Sequence, residues 1–311
     1  MIKKKRYLIT TEDEATWKFD QPVIFLGEWC RLYNRKHIWQ NMDAIVAKPY
    51  GLDIFTKEKD DLKVKSIEKI ILKELCLILN ENFNTNYSVR FWQIILGTWL
   101  RNILNILLNR INTLKQCLNL EEICGTTLYS SEYCSLAIPN LRSGFTNFFD
   151  DEKWNNILNG RILALLNNNK IFINYINYKG GKYFYQNFET NNLTSNQSYK
   201  KKFKDYLYKN YKKITEKLVN NKDAFLINTY LSPKQLLKLE LNLGQFPQLW
   251  KKLNINIDTQ PNQTLRKKLT EKLIKQSGDY LENIFRNLLF ELLPVYYLEG
   301  FKELTKIVNQ Q

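Results

Sequence analysis

A carboxylate, a guanidinium and the chain's single imidazole fall within ten residues of one another, at Glu28, Arg31 and His37. They belong to a dense stretch, Phe25-Leu26-Gly27-Glu28-Trp29-Cys30-Arg31-Leu32-Tyr33, followed by Arg35, Lys36, His37 and Trp39. Glu28, flanked by apolar residues, could take a proton from an acceptor hydroxyl, because an apolar surround shifts a carboxyl toward a useful pKa. Arg31 could grip a phosphate or carboxylate with two parallel hydrogen bonds. His37 is a second candidate base, its unperturbed pKa being near neutrality. The bland alternative is an i,i+3 ion pair between Glu28 and Arg31 beside a structural histidine. A second cluster, Ser88-Val89-Arg90-Phe91-Trp92, runs on to Gly97-Thr98-Trp99-Leu100. Arg90 is its candidate anion ligand. Trp92 and Trp99, seven apart, serve either core packing or a stacking platform for a sugar or base.

These residues need elements to place them. Tyr7 to Thr10 and Val23 to Leu26 are apolar runs of strand length, and the second stops at Gly27 ahead of a longer helical pattern. In open α/β sheets ligands sit at the carboxyl ends of strands, so Gly27 to Arg31 stands where chemistry is expected. Apolar residues recur at helical spacing from Ser66 to Leu79 and again over Val89 to Leu118, predicting a helical insert across about 62–120. Ile171 to Tyr178 and Ala224 to Tyr230 read as later strands, and helices dominate from Pro233 onward. Pro294 is expected to kink a long helical tract that starts near Leu265. Asn187 to Gln197 reads as an exposed loop, and Lys179-Gly180-Gly181-Lys182 as a turn between strands, since it lacks phosphate-loop spacing. Tyr199 to Lys213 reads as a solvated basic face over an apolar stripe, with nucleic-acid contact as the sharper alternative. The fold class is α/β, Rossmann-like, in one domain over 1–311.

Composition bounds the rest. The chain has 311 residues, 44% of them hydrophobic, which excludes a disordered protein. Lys and Arg number 46 against 31 Asp and Glu, a net charge of +15 that suits an anionic partner. Heavy use of Asn, Lys, Ile and Tyr is what an AT-rich genome produces, and that weakens the charge argument. Five cysteines without a C-x-x-C pair, beside one histidine, point to reduced thiols in a cytoplasmic protein and leave nothing from which to build a structural zinc site. No metal is expected. Glu12, Asp13 and Glu14 stand where a signal peptide would have its apolar region. Phe91 to Leu108, interrupted by Arg101, Asn102 and Asn105, reads as a core helix or at most a surface-lying one.

FLGEWCRLY (Phe25 to Tyr33), RKHIW (Arg35 to Trp39), SVRFW with LGTWL (Ser88 to Leu100), LGQFPQLW (Leu243 to Trp250) and YLEGF (Tyr297 to Phe301) resemble, in this order, a bacterial family of transferases encoded in O-antigen and other surface-polysaccharide loci. The resemblance spans nearly the whole chain. It implies a glycosyltransferase-like protein of GT-B type, of which this sequence looks like the N-terminal, acceptor-side portion. The Gln-His-Gly-Gly segment of the family's donor-binding half is not found here, so a donor-binding domain is expected to be absent, its role falling to a separate protein. Lys48 to Asp53 also departs from the family's Tyr-His-Trp-Asp-Asp-Arg-like stretch, putting a role for Asp53 in doubt. On this resemblance Glu28 is the acceptor base and Arg31 and Arg90 bind acidic groups. Trp29 beside Gly27 supplies an apolar wall, and Trp92 and Glu299 are further substrate-binding candidates. No cofactor is implied beyond a nucleotide-activated sugar as co-substrate. The implied partners are a glycan or lipid-linked acceptor and the anionic inner membrane face, with nucleic acid disfavoured. The rival expectation is a non-catalytic basic module gripping nucleic acid or anionic lipid, whose binding would weaken steeply with salt; a third is an inactive remnant.

Overall fold

The computed structural model describes residues 4–130, 135–166, 171–178, 206–207, 210–211, 213–215, 217–224, 230–247, 259–274 and 279–309. The chain divides into two compact units, one formed by Met1–Phe188 with Ile257–Gln311 and the other by Glu189–Asn256.

The first unit is built on five parallel strands: β1 (Arg6–Ile9), β2 (Val23–Phe25), β3 (Ala44–Val46), β4 (Ile123–Ser130) and β5 (Phe172–Asn177). They lie in the order β3-β2-β1-β4-β5. Tyr7 pairs with Val23 on one side and Gly125 on the other. The order runs outward in both directions from the β1/β4 neighbours, which makes their carboxyl ends the switch point where ligands enter such sheets. This is the Rossmann-like α/β architecture expected. β1 and β2 are almost wholly buried, as strands covered on both faces must be.

Between β2 and β3 the chain departs from expectation. Gly27 leads into two single 3-10 turns, Glu28–Cys30 and Tyr33–Arg35, and then the four-residue helix α1 (Lys36–Trp39), in place of a long helix. The sequence here, Leu32 to Trp39, carries no apolar stripe that a longer helix could bury.

Two long helices, α2 (Ile54–Phe83) and α3 (Val89–Leu120), connect β3 to β4. The insert begins earlier than the periodicity suggested, because Asp53 caps α2 by accepting from the Thr56 N–H and hydroxyl, each at 2.7 Å. Asn84, in the left-handed region at φ 54°, closes α2. By length and composition α3 could cross a membrane. Its stripe of Leu96, Leu100, Ile103, Leu107, Ile111 and Leu114 is nevertheless fully buried in the core of this unit. Each such side chain contributes about 1.5–3 kcal/mol by leaving water.

Beyond β4, α4 (Leu141–Asp150) and α5 (Glu152–Leu165) pack on one another and α5 lies on β4. In the second unit, α6 (Pro233–Asn242) opens with a capping box from Ser232 and Gln235. Three helices complete the first unit: α7 (Gln263–Leu273), α8 (Tyr280–Leu292) and α9 (Phe301–Asn309). Pro294 does not kink a helix. It begins a 3-10 turn, Val295–Tyr297, after α8 has ended. The proposed strand at Ala224 to Tyr230, the Tyr199 to Lys213 face, the Asn187 to Gln197 loop and the Lys179 to Lys182 turn fall largely or wholly outside the described residues.

Candidate active site

The loop leaving β1, Thr10 to Asp13, is pinned from several sides. Asn156 of α5 donates to the Thr10 hydroxyl and the Thr127 carbonyl, both at 3.2 Å, and accepts from the Tyr129 N–H at 2.9 Å. The indoles of Trp17 and Trp29 donate to the carbonyls of Thr11 (3.0 Å) and Thr10 (3.3 Å). Asp13 accepts from the Tyr129 hydroxyl. A loop held by this many side chains presents its remaining groups in fixed positions, as a reacting site requires.

In front of it lies a cleft of about 780 Å³, a volume ordinary for a small-molecule site. Thr11, Glu12, Trp29 and Leu32 form the wall next to the sheet. Asn102, Asn105, Ile106, Asn109 and Arg110 come from one face of α3, at spacings of three and four. Phe145, Phe148 and Phe149 of α4, with Asp150, Glu152 and Asn155, close the far side. Trp29 is 47% exposed and Phe149 69%, so the cleft offers aromatic faces to solvent.

Its titratable groups are perturbed. Burial holds the Glu12 carboxyl above its ordinary value, and the charges of Glu152 and Asp13 add to the effect. Burial lowers the Arg110 guanidinium to about 10. Arg110 Nη2 donates to the Phe148 carbonyl at 2.9 Å, while its Nε has no acceptor among the described residues. The Thr11 hydroxyl and the Asn155 side-chain carbonyl, both in the cleft wall, are likewise buried without a partner among the described residues. Cys30 is buried, its thiol donating to the Ile9 carbonyl at 3.5 Å, and burial pushes that thiol up to about 12, so it is inert as a nucleophile.

The candidates from sequence distribute unevenly. Glu28 is exposed and doubly bonded to Arg31, at 2.7 and 2.8 Å. Arg31 thereby holds the Glu28 carboxyl below its ordinary value, opposite to the shift expected of a base. Arg31 is occupied on its other side by the Trp39 ring, 5.1 Å away. His37 is exposed on α1. Gly27 is buried, and a Cβ there would lie 2.1 Å from the Trp29 ring. Trp29 does reach the cleft. Arg90, exposed and bonded to Gln93, stands on the first turn of α3, about 18 Å along the helix from Asn102 at 1.5 Å per residue. Trp92 is fully buried, stacked on Phe83, edge-on to Tyr87 and Phe91 and tilted against Phe301, which decides for core packing. Glu299 is equally internal. Its two oxygens take Arg266 at 2.7 and 2.6 Å, and Arg266 goes on to the carbonyls of Phe290 and Leu293. Arg90, Trp92 and Glu299 are thus not brought together with Trp29.

Glu12 and Arg110 were missed by sequence reasoning. Glu12 directly follows the first strand, which was the signal that could have found it; Arg110 sits in a helix read only for its apolar stripe. Among the described residues no group of three or more His, Cys, Asp and Glu is arranged to hold a metal ion.

Compared with known proteins, the chain matches the model of the LIC12162 family transferase over residues 6–311. Among curated proteins and solved structures, none matches it. The chain belongs to the LIC12162 family of transferases.

Proposed function

We propose that this LIC12162-family transferase is glycosyltransferase-like and that the cleft in front of the carboxyl ends of β1 and β2 receives the acceptor. The observation that carries the reading is the placement of Glu12, a carboxyl held above its ordinary value, on a pinned loop at the mouth of the sheet beside aromatic walls. A base of this kind is tuned for proton transfer nearer neutrality. In the step envisaged, Glu12 takes the proton of an acceptor hydroxyl as that oxygen bonds to the anomeric carbon of the donor. The bond from that carbon to the donor phosphate breaks, and the nucleoside diphosphate leaves with the electron pair. Glu12 replaces Glu28 in the role, since the Glu28 carboxylate is exposed and already neutralised by Arg31.

The nucleotide sugar would be held by a donor-binding half, on whichever chain carries it. The acceptor would be a growing surface glycan or a lipid-linked sugar, approached at the anionic inner face of the membrane. The motifs from Phe25 to Phe301 and the charge of +15 support this finer reading. The test is to incubate the chain with nucleotide sugars and glycan or lipid-linked acceptors, with and without the donor-binding half, and to analyse the acceptor by mass spectrometry. An acceptor heavier by one sugar residue supports the reading. Transfer of a different group, with no glycosylated product in any combination, refutes it.

A further inference from the structure

The walls of the same cleft say more about what it takes. Among the described residues of the first unit, Arg110, Arg266 and Arg286 have guanidinium nitrogens drawn out of solvent. Arg266 is neutralised by Glu299, and Arg286 by Glu74 and Glu282. Arg110 has the Phe148 carbonyl and, among the described residues, no carboxylate. A buried cation left without a counter-charge is costly, and the molecule avoids that cost at the two other positions. Glu12 stands on the sheet wall of the cleft, where the charges of Glu152 and Asp13 bear on it, and Arg110 stands on the α3 wall. Beside Arg110 on that wall run Asn102, Asn105 and Asn109, amides on one helix face that can donate to and accept from hydroxyls. Asn105 spends its amide N–H on the Arg101 carbonyl at 2.9 Å and keeps its oxygen.

From this arrangement we infer that the acceptor is an anionic saccharide. Its phosphate or carboxylate pairs with Arg110, its hydroxyls lie along the Asn102, Asn105 and Asn109 row, and its reacting hydroxyl faces Glu12. The inference rests on the cleft being the acceptor site and adds the chemical class of what binds there. A monodentate or forked contact from Arg110 to the oxyanion supplies the missing counter-charge.

The test is calorimetric titration of the full chain with glucose, glucose 1-phosphate, glucuronate and UDP as probes. Glucose 1-phosphate or glucuronate is expected to bind at least about tenfold more tightly than glucose, the effect of one charge-assisted hydrogen bond. Whichever of the two is tighter identifies phosphate or carboxylate as the group. Arg110→Gln is expected to erase the preference and Arg110→Lys to keep much of it, while the joint change Asn105→Ala, Asn109→Ala weakens neutral and charged sugars alike. Equal affinity for glucose and both charged sugars overturns the inference without need of any variant, as does a preference that survives Arg110→Gln. UDP displacing the sugar phosphate from the Arg110 end also overturns it, by making the cleft the donor's. Failure of the underlying reading looks different: charged sugars bind as expected, yet transfer is indifferent to Glu12→Gln.

Discussion

Glu12 and Glu28 are both glutamates at the carboxyl edge of the same sheet, and their surroundings pull them in opposite directions. Glu28 forms an exposed i,i+3 pair, so Glu28→Gln is expected to change stability by no more than about 0.5 kcal/mol, measured by urea unfolding. Glu12 is a carboxyl whose folded pKa lies above its unfolded one. The folded state therefore holds the proton more tightly, and the stability this contributes is present at low pH and lost as pH rises through the raised value. Glu12→Gln is accordingly expected to be more stable relative to wild type at about pH 8 than at about pH 4, a difference readable from unfolding midpoints. With Glu12 as the proposed base, transfer is expected to fall off on the acid side below the raised value rather than in the ordinary carboxylate range, as a pH–rate profile would read. Gly27 acts by absence. With a Cβ 2.1 Å from the Trp29 ring, Gly27→Ala must displace the indole from its bond to Thr10, at a cost of about 1–3 kcal/mol and with loss of sugar binding in the cleft.

Helix α3 serves two purposes, and only one of them was legible. Its apolar period of 3.6 announces a core helix, and the structure buries that stripe, with α3 packed against α2, α5 and α8. The polar row on the neighbouring face, Asn102 to Arg110, reads in sequence as mere interruption of an apolar run. Its meaning depends on α4, which is remote in sequence and closes over it through the Arg110 bond to Phe148. Strands β1, β2 and β5 were readable because each concentrates apolar and aromatic residues over strand length. β3 has only three residues, and β4 contains Gly125, Thr126 and Thr127. The β4 threonines are held by bonds no period reveals, Thr126 to the Leu8 carbonyl and Thr127 to the Tyr7 hydroxyl. The motifs SVRFW and YLEGF were read as candidate binding sequence, but Trp92 meets Phe301 in an aromatic cluster and Glu299 anchors Arg266. Chemical unfolding should show both as structural. Trp92→Ala is expected to cost about 3–5 kcal/mol through the cavity it leaves. Glu299→Ala should cost a similar amount by stranding a buried guanidinium.

At the scale of the whole molecule, the charge of +15 and the cleft make separate claims. If the basic surface serves a membrane-proximal acceptor, the chain should sediment with vesicles containing anionic lipid and be released as salt rises, because such attraction is screened within a Debye length. That association should survive Glu12→Gln, since it draws on surface lysines rather than on the cleft. Membership of a transferase family gives the class of reaction, and the proposal adds that an acceptor hydroxyl is deprotonated in the cleft. The two glutamates separate this account from its rival most directly. The decisive measurement is the rate of sugar transfer by Glu12→Gln and Glu28→Gln, compared side by side with wild type under one set of donors and acceptors. The account predicts a loss of about 100-fold or more for Glu12→Gln, the contribution of a general base, and near-wild-type transfer for Glu28→Gln. Transfer that survives Glu12→Gln and collapses with Glu28→Gln would contradict it and return the chemistry to the turn after β2.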